Sequence, residues 1–528
     1  MTDPADSVLE LRLHRDTYVD SVVQLSGTRA MRAVEGVDWA SAAMATPGNV
    51  EVLRTEGFAG DELAGAGVND LVLAVRAESA QAAEAARAAA ETAMFAARGD
   101  AAPGEARVVA PRTLGEALDR APGTNVAVVS VPGEYAALEA HKALSAGLDV
   151  LLFSDNVPVE AEVELKERAA ELGRLVMGPG AGTAVLGGTC LGFANVLGPP
   201  GQRRGSVAVV AAAGTGAQEV AALLDRWGVG VPHVIGLGGR DLTAAVGGRM
   251  GLAAVAALAE DPGTDVVLLV SKPPDPDVAR AVVQAAAGKP LVAALVGLPP
   301  SETDLDDGVV VTRTLEAGAV AAARAVGASV PDTAAGLVDA VREAGAELPA
   351  ERTLVRGLFS GGTLCYESLV VLGEHADVLG PVHSNTPIDE ALGLPAPDGA
   401  HTCLDLGEEE YTKGRPHPMI DPGARIAMLR EAGTDPRVAV IVLDVVLGYG
   451  AHADPAADLA PVAAEITAGG GPRVVVHVLG TEGDPQGLDR QRRAFVEAGC
   501  LVTDTAARAS LAAAAIATRS PGLAGSSL

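Results

Sequence analysis

Aromatic side chains are nearly missing: two Trp, five Tyr and six Phe make up 2% of 528 residues. Large cores must then be built from Val, Ala and Leu, the palette of parallel sheets covered by helices. Basic residues are also short, 39 Lys and Arg against 68 Asp and Glu, for a formal charge of −29. That balance argues against nucleic acid or an anionic membrane as the main partner. It also requires any anionic substrate to be held by local backbone dipoles and a few Lys and Arg. The cysteines, Cys190, Cys365, Cys403 and Cys500, show neither CxxC spacing nor a disulfide framework, as expected of a reduced, cytoplasmic protein. No basic, apolar leader opens the chain and no apolar run reaches membrane-span length, so a soluble protein is expected. No His, Cys and Asp cluster has metal-ligand spacing and no metal is expected; HADPAAD at 452–458 reads as a turn and helix cap.

What is abundant is apolar residue, 48% of the chain, and glycine, 63 residues. Most informative is the stretch 205–219, GSVAVVAAAGTGAQE. Residues 207–213 read as a buried parallel strand that breaks at Gly214-Thr215-Gly216 and continues as a helix. Amide groups at such a turn, with the helix dipole, make a place for an anion, usually a phosphate. A second stretch repeats the pattern: strand 354–359, then Ser360-Gly361-Gly362-Thr363, then a helix from Leu364. Two cradle candidates roughly 150 residues apart suggest two similar α/β domains.

The length suits three or four domains. Residues 1–100 order as β-α-β-α-β-α, a small ferredoxin-like α/β unit, with a linker candidate at 99–105. Residues 101–200 alternate strand and helix like a Rossmann-like, nucleotide-binding type of α/β domain. Its turns at Ser130-Val131-Pro132 and Ser154-Asp155-Asn156 lie at carboxyl ends of strands, where ligands sit in such sheets. Residues 201–345 and 346–528 each repeat βαβ around one glycine turn, which predicts two flavodoxin-like domains with parallel sheets.

Several side chains stand where chemistry is expected. Arg240 and Lys272 follow strand ends on one sheet; they either bring charge beside Gly214–Gly216 or form an Arg240–Asp241 pair and a surface lysine. His417, in Pro416-His417-Pro418, sits in a loop with no packing reason to contain it, and His452 follows a glycine-rich strand end. Both are candidate acid/base groups. His14, His141, His375 and His477 read as surface or core residues, and Asp405 and Asp444 as buried partners of backbone or Arg groups.

The order of several motifs resembles known enzymes. Met177-Gly178-Pro179, AAAGTGAQE at 211–219, GLGGRD at 236–241 and Gly288-Lys289-Pro290 resemble the α subunit of succinyl-CoA synthetase. FSGGTL at 359–364, the strand 403–406 and LDVVLGYGAHADPA at 443–456 resemble that enzyme's β-subunit carboxyl-terminal domain. A fuller resemblance, through FSDNV at 153–157, VMGP at 176–179, IGLGGRDL at 235–242, VSKPP at 270–274 and YTKGRPHPMIDP at 411–422, is to the FdrA family. That family is often labelled acyl-CoA synthetase, and its member in allantoin-degrading bacteria is similar to a subunit of oxamate carbamoyltransferase that works with two partner polypeptides.

Departures from the ligases shape what the resemblance implies. Their α subunit carries phosphate on a histidine in a Gly-His-Ala-Gly turn; the equivalent region here, 295–311, reads LVGLPPSETDLDDGVVV and holds none. No ATP-grasp portion is evident either. A pair of anion-holding helix starts without that histidine suits a reaction that uses an acyl phosphate without making it from a nucleotide, and carbamoyl phosphate is such a substrate. The expectation is therefore a carbamoyltransferase subunit in a hetero-oligomeric complex. Gly214, Thr215 and Gly216 would hold one anionic group and Ser360, Gly361, Gly362 and Thr363 the other. Arg240, Lys272 and Arg415 would supply charge, and His417 and His452 acid/base groups. The alternatives are an acyl-CoA synthetase that binds CoA and uses another histidine or a partner, and a non-catalytic scaffold of such a complex.

Overall fold

Short apolar strands alternating with helices dominate the chain. A computed structural model describes residues 7–19, 21–95, 111–306, 308–412 and 416–528. The chain divides into two units: Met1–Pro111 with Glu409–Pro416, and Arg112–Glu408 with His417–Leu528.

The first unit holds β1 (Val8–His14), β2 (Val37–Met44) and β3 (Leu71–Ala77), in sheet order β1-β3-β2 with β3 antiparallel to both neighbours. Helix Ala80–Phe95 places Ala83, Ala86, Ala90 and Met94 on one buried stripe, the i, i+3, i+4 spacing of a helix lying on a sheet. They pack with Met44, Leu73 and Val75. Leu53, Phe58 and Leu63 cover the opposite face at Val72 and Ala74. This is the small ferredoxin-like unit the sequence predicts.

The second unit begins with a three-stranded parallel sheet, β4 (Val126–Val129), β5 (Asp149–Leu152) and β6 (Val176–Met177). A hairpin follows, β7 (Thr183–Leu186) and β8 (Thr189–Gly192), turning at Gly187 and Gly188, whose φ values of 56° and 81° suit a two-residue turn. Next come β9 (Val207–Ala211), β10 (His233–Gly236), β11 (Val266–Ser271), β12 (Leu291–Leu295) and β13 (Val310–Thr312). Their sheet runs β13-β12-β11-β9-β10-β7-β8. The parallel order expected for 201–345 holds throughout β9 to β13, while β7, from the preceding segment, joins that sheet antiparallel to β10. A one-register Gly-Gly turn between short strands is a weak signal beside the long apolar runs.

The last sheet holds β14 (Leu354–Phe359), β15 (Val382–His383), β16 (His401–Asp405), β17 (Val438–Val446), β18 (Arg473–Leu479) and β19 (Leu501–Thr503), ordered β15-β16-β14-β17-β18-β19. In both large sheets the strand before the glycine turn, β9 or β14, sits centrally, and later strands are added on either side of it. That change of side opens a crevice at the carboxyl ends of the central strands, and both glycine turns lie there. Strand β17 is buried at all nine positions, as a parallel strand covered on both faces must be.

One core serves both large sheets: Val220, Leu224, Leu315 and Ala319 from the first half pack in the same cluster as Leu364, Cys365, Ala513 and Ile516 from the second. Helix Ala506–Thr518 is buried along its length through Ala517, and its run of alanines permits that close approach from several sides. The small sheet is joined to β10 by Lys166, whose side chain is fully buried. Its Nζ donates to Glu162 at 2.8 Å, Asp241 at 2.9 Å and the Leu237 carbonyl at 2.9 Å, satisfying three donors. Asp241 in turn accepts from the Gly251 amide at 2.8 Å, at the start of helix Arg249–Glu260.

Candidate functional site

Helix Gly214–Arg226 follows β9 and helix Gly362–Gly373 follows β14. Their N-cap residues, Ala213 and Gly361, bring no side chain to the first amides. The two helix starts meet. Thr215 Oγ1 accepts from the Thr363 amide at 3.2 Å. A Cβ on Gly216 would stand 2.9 Å from Thr363 Cγ2, and one on Gly361 2.9 Å from Thr215 Cγ2. These two glycines are therefore required by the meeting of the helices, a reason the sequence does not reveal. All of Gly214, Thr215, Gly216, Ser360, Gly361, Gly362 and Thr363 come together at one junction.

The two starts differ in what faces them. At the second, Asp444 accepts from the Ser360 amide (2.7 Å), the Ser360 hydroxyl (3.0 Å) and the Gly361 amide (2.7 Å). Asp405 lies against Gly362. The expectation that Ser360, Gly361 and Gly362 hold a substrate anion is corrected here: the protein's own carboxylate takes the amides, and a second anion would meet Asp444 and Asp405 at short range. Arg425 fixes Asp444 in place. Its Nη2 donates to Asp444 Oδ1 (3.1 Å) and to the carbonyls of Leu358 (3.0 Å) and Asp444 (2.6 Å), while its buried Nε finds no hydrogen-bond partner.

The first start is open. Among the described residues outside its own helix and chain neighbours, nothing lies within 4 Å of where a Cβ on Gly214 would be. The neighbouring strand ends in Val270-Ser271-Lys272 and brings no carboxylate. Because Val270 pairs with Ala211, Lys272 leaves β11 one strand away from the Gly214 turn. Its Nζ sits 4.8 Å from the centroid of the Tyr366 ring, a cation–π contact that holds the ammonium in a defined place.

Two titratable groups face each other across Gly407. A Cβ there would be 2.7 Å from His417 Nε2 and 3.1 Å from Asp405 Oδ1. Burial pushes the Asp405 carboxyl up to about 6, with Glu408 and Asp444 acting in the same direction and Lys272 opposing. Burial lowers the His417 pKa, Asp444 opposing and Arg425 assisting. Its Nδ1 accepts from the Met419 amide at 3.2 Å, so the proton of the neutral ring is on Nε2. His417 is a neutral donor at Nε2, and in that tautomer it has no lone pair there to attack with.

Other expected residues are elsewhere. His452 accepts from the Asp454 amide at Nδ1 (3.1 Å) and pairs with Asp458 through Nε2 (3.3 Å), securing the start of helix Pro455–Ala468. Arg240 donates to Glu162 (2.9 Å) and to the Val157 carbonyl (2.8 Å). It is committed to the join with the small sheet, and its partner is Glu162 where the sequence suggested Asp241. Arg415 lies outside the described residues. Arg425, Tyr366 and Lys166 were not foreseen: each sits inside a helix whose sequence gives no reason to single it out.

Residues 358–516 match the family model described as CoA-ligase, and residues 7–109 match one described as the AllF heavy metal-associated domain. An uncharacterised Escherichia coli protein, YahF, is 38% identical over 511 residues, covering 94% of this chain and 96% of that protein. The chain belongs to the FdrA-like family with YahF. The α subunit of an ADP-forming succinate–CoA ligase from Methanothermobacter thermautotrophicus is 27% identical over 151 residues, 28% of this chain and 48% of that subunit. Among solved structures, a dinucleotide-forming acetyl-coenzyme A synthetase of Ca. Korarchaeum cryptofilum covers 76% of this chain and 84% of its own at 15% identity and a TM-score of 0.27. The FdrA-like chain is a mixed α/β, multi-domain protein of the CoA-ligase fold type. Among its described residues no helix is long and apolar enough to cross a membrane.

Neither group suggested by those family descriptions finds fitting residues where it would be sought. A heavy metal asks for soft donors, yet 7–109 holds no cysteine and one histidine, His14, which lies 3.4 Å from Glu91. CoA brings several phosphates. The carboxyl-end loops of the small sheet, 130–135, 153–158 and 178–183, carry Glu134 and Asp155 and no Lys or Arg. A Cβ on Gly133, where helix Gly133–Ser145 begins, would stand 2.6 Å from the Asn156 carbonyl oxygen, so that helix start is covered by the next loop.

Proposed function

We propose that the chain is an acyl-transfer enzyme of the acid–thiol ligase kind, acting on a small acyl phosphate at the open helix start. The observation that carries this reading is the asymmetry of the junction: one start is closed by Asp444, with Asp405 against it and His417 across Gly407, while the other is open at Gly214, with Lys272 leaving the neighbouring strand. The amides of Gly214–Gly216 and the Lys272 ammonium take the phosphate. His417 Nε2–H donates to the acyl oxygen as negative charge develops there. The acceptor attacks the acyl carbon, the bond from carbon to the phosphate oxygen breaks, and Asp405 takes the acceptor's proton. Carbamoyl phosphate is an acyl phosphate and meets the same cradle, but transfer to an anionic amide such as oxamate needs a second anion-holding turn, which Asp444 occupies. Partner polypeptides are the expected source of a nucleotide-binding portion.

The test is turnover of acetyl phosphate with a thiol acceptor, and of carbamoyl phosphate with oxamate, by the full chain with co-purified partners. Asp405→Asn should cost about 10²–10⁴-fold in rate, and the wild-type rate should rise as pH passes about 6, where Asp405 loses its proton. Oxamate carbamoylation with Asp405→Asn fully active would overturn the assignment.

A further inference from the structure

The two glycine-opened helices share their first, second and sixth residues. Gly214-Thr215-Gly216-Ala217-Gln218-Glu219 aligns with Gly362-Thr363-Leu364-Cys365-Tyr366-Glu367, so both bring a glutamate to the sixth position. The last strand and helix of each half also match: Thr312-Arg313-Thr314-Leu315 with Thr503-Asp504-Thr505-Ala506. Thr314 and Thr505 are the N-caps of the closing helices Leu315–Ala325 and Ala506–Thr518. The glutamates cross over. Glu367, in the second half, accepts from the Leu315 amide of the first half at 2.6 Å. Glu219, in the first half, accepts from the Ala506 amide of the second half at 3.3 Å. Each takes the first amide of the opposite closing helix, beside the hydroxyl cap already there.

Arg226, which pairs with Asp504 at 3.3 Å, lies near Glu219. Glu219 Oε2 pairs with His477 Nε2 at 2.8 Å, both side chains buried, and His477 Nδ1 has no partner. Glu316 pairs with Arg508 at 2.9 Å. Glu367 is fully buried, with no cation paired to it among the described residues; burial pushes it up to about 8, the Leu315 amide opposes, and Glu219 and Glu316 add to the rise.

We propose that Glu219 and Glu367 are positioning residues that hold the two helix starts in register by exchanged grips on the opposite closing helices, and that Glu367 does so as the neutral acid. A carboxylic acid accepts from the Leu315 amide through its carbonyl oxygen without placing a third negative charge beside Glu219 and Glu316. Opening the junction to water lets that proton go, so rising pH favours separation of the two starts. The proposal rests on the acyl-transfer reading for its consequence at Gly214, but not for its geometry.

Two readouts on the full chain decide it. Hydrogen-exchange protection at the Leu315 and Ala506 amides reports the grips, and binding of inorganic phosphate, followed by phosphorus NMR, reports the open start. In the wild type, Leu315 protection should fall by up to about tenfold per pH unit as pH rises above about 4.5, and level off beyond about 8, where the buried acid is itself ionised. Glu367→Gln, which keeps the acceptor without the charge, should remove that fall, and Glu367→Ala should lose protection at every pH. Glu219→Ala should lower protection at Ala506 and not at its own helix's amides. Phosphate affinity should follow Leu315 protection across these variants. An unchanged pH profile in Glu367→Gln, or full protection in Glu367→Ala, overturns the proposal. Protection that behaves as described while phosphate fails to bind any variant sinks the acyl-transfer reading and leaves the exchanged grips intact.

Discussion

Lys166 shows how much a single residue can decide. It stands in a helix whose sequence, VEAEVELKERAAE, reads as a charged surface, yet its ammonium is enclosed between Glu162, Asp241 and a carbonyl. Removing it should leave Asp241 buried without its cation and Glu162 with Arg240 alone. Lys166→Met is expected to cost about 3–5 kcal/mol in denaturant unfolding, and adding Glu162→Gln and Asp241→Asn should recover most of the loss. Legibility at this scale was uneven for a physical reason. Asp444 was correctly read as a buried partner of backbone and Arg groups because a carboxylate inside a strand of valines must be satisfied by something. His417 was legible because two prolines leave it no helical or strand role. The partners of Arg240 and the closure of Ser360–Gly361 were not legible, since both depend on residues far away in sequence, Glu162 and Asp444, arriving at one point.

Among elements, strand after strand of Val, Leu and Ala made the parallel architecture readable, and the flavodoxin-like winding followed from the repeated βα period. The β7–β8 hairpin was missed because four-residue strands offer too little alternation to register. The glycine turns were read as ligand cradles from local pattern alone, while the structure gives two of the glycines a packing reason. Gly216→Val tests that reason: its side chain would enter the space of Thr363, Ala213 and Leu315. The variant should lose about 1–3 kcal/mol of stability as measured by denaturant midpoint. Thr363→Ala in the same chain should return part of it.

At the scale of the whole molecule, the formal charge of −29 sets a background that every pair works against. Raising ionic strength from about 0.01 to 0.15 M, where the screening length falls from roughly 30 to 8 Å, should raise the melting temperature. The pH response has a definite sign. Glu367 and Asp405 hold protons to about 8 and 6, above their ordinary values of 4.5 and 3.8, so their contribution to stability is complete below those ordinary values and declines as pH rises through 6 and 8. Buried His417, His401 and His233 have lowered pKa values, so their contribution declines as pH falls below about 6.5. From pH 6.5 to 8.5 the calorimetric midpoint should therefore drop, at no more than about 1.4 kcal/mol per pH unit for each proton released.

The exchanged glutamates also bear on how the chain is made. As the polypeptide leaves the ribosome, the Leu315 amide must wait for Glu367, 52 residues later, and Glu219 must wait for Ala506, 287 residues later, with His477 arriving shortly before it. For most of translation the first half carries a carboxylate with no counterpart, so it cannot finish folding ahead of the second. Synthesis is nearly over before either half is complete.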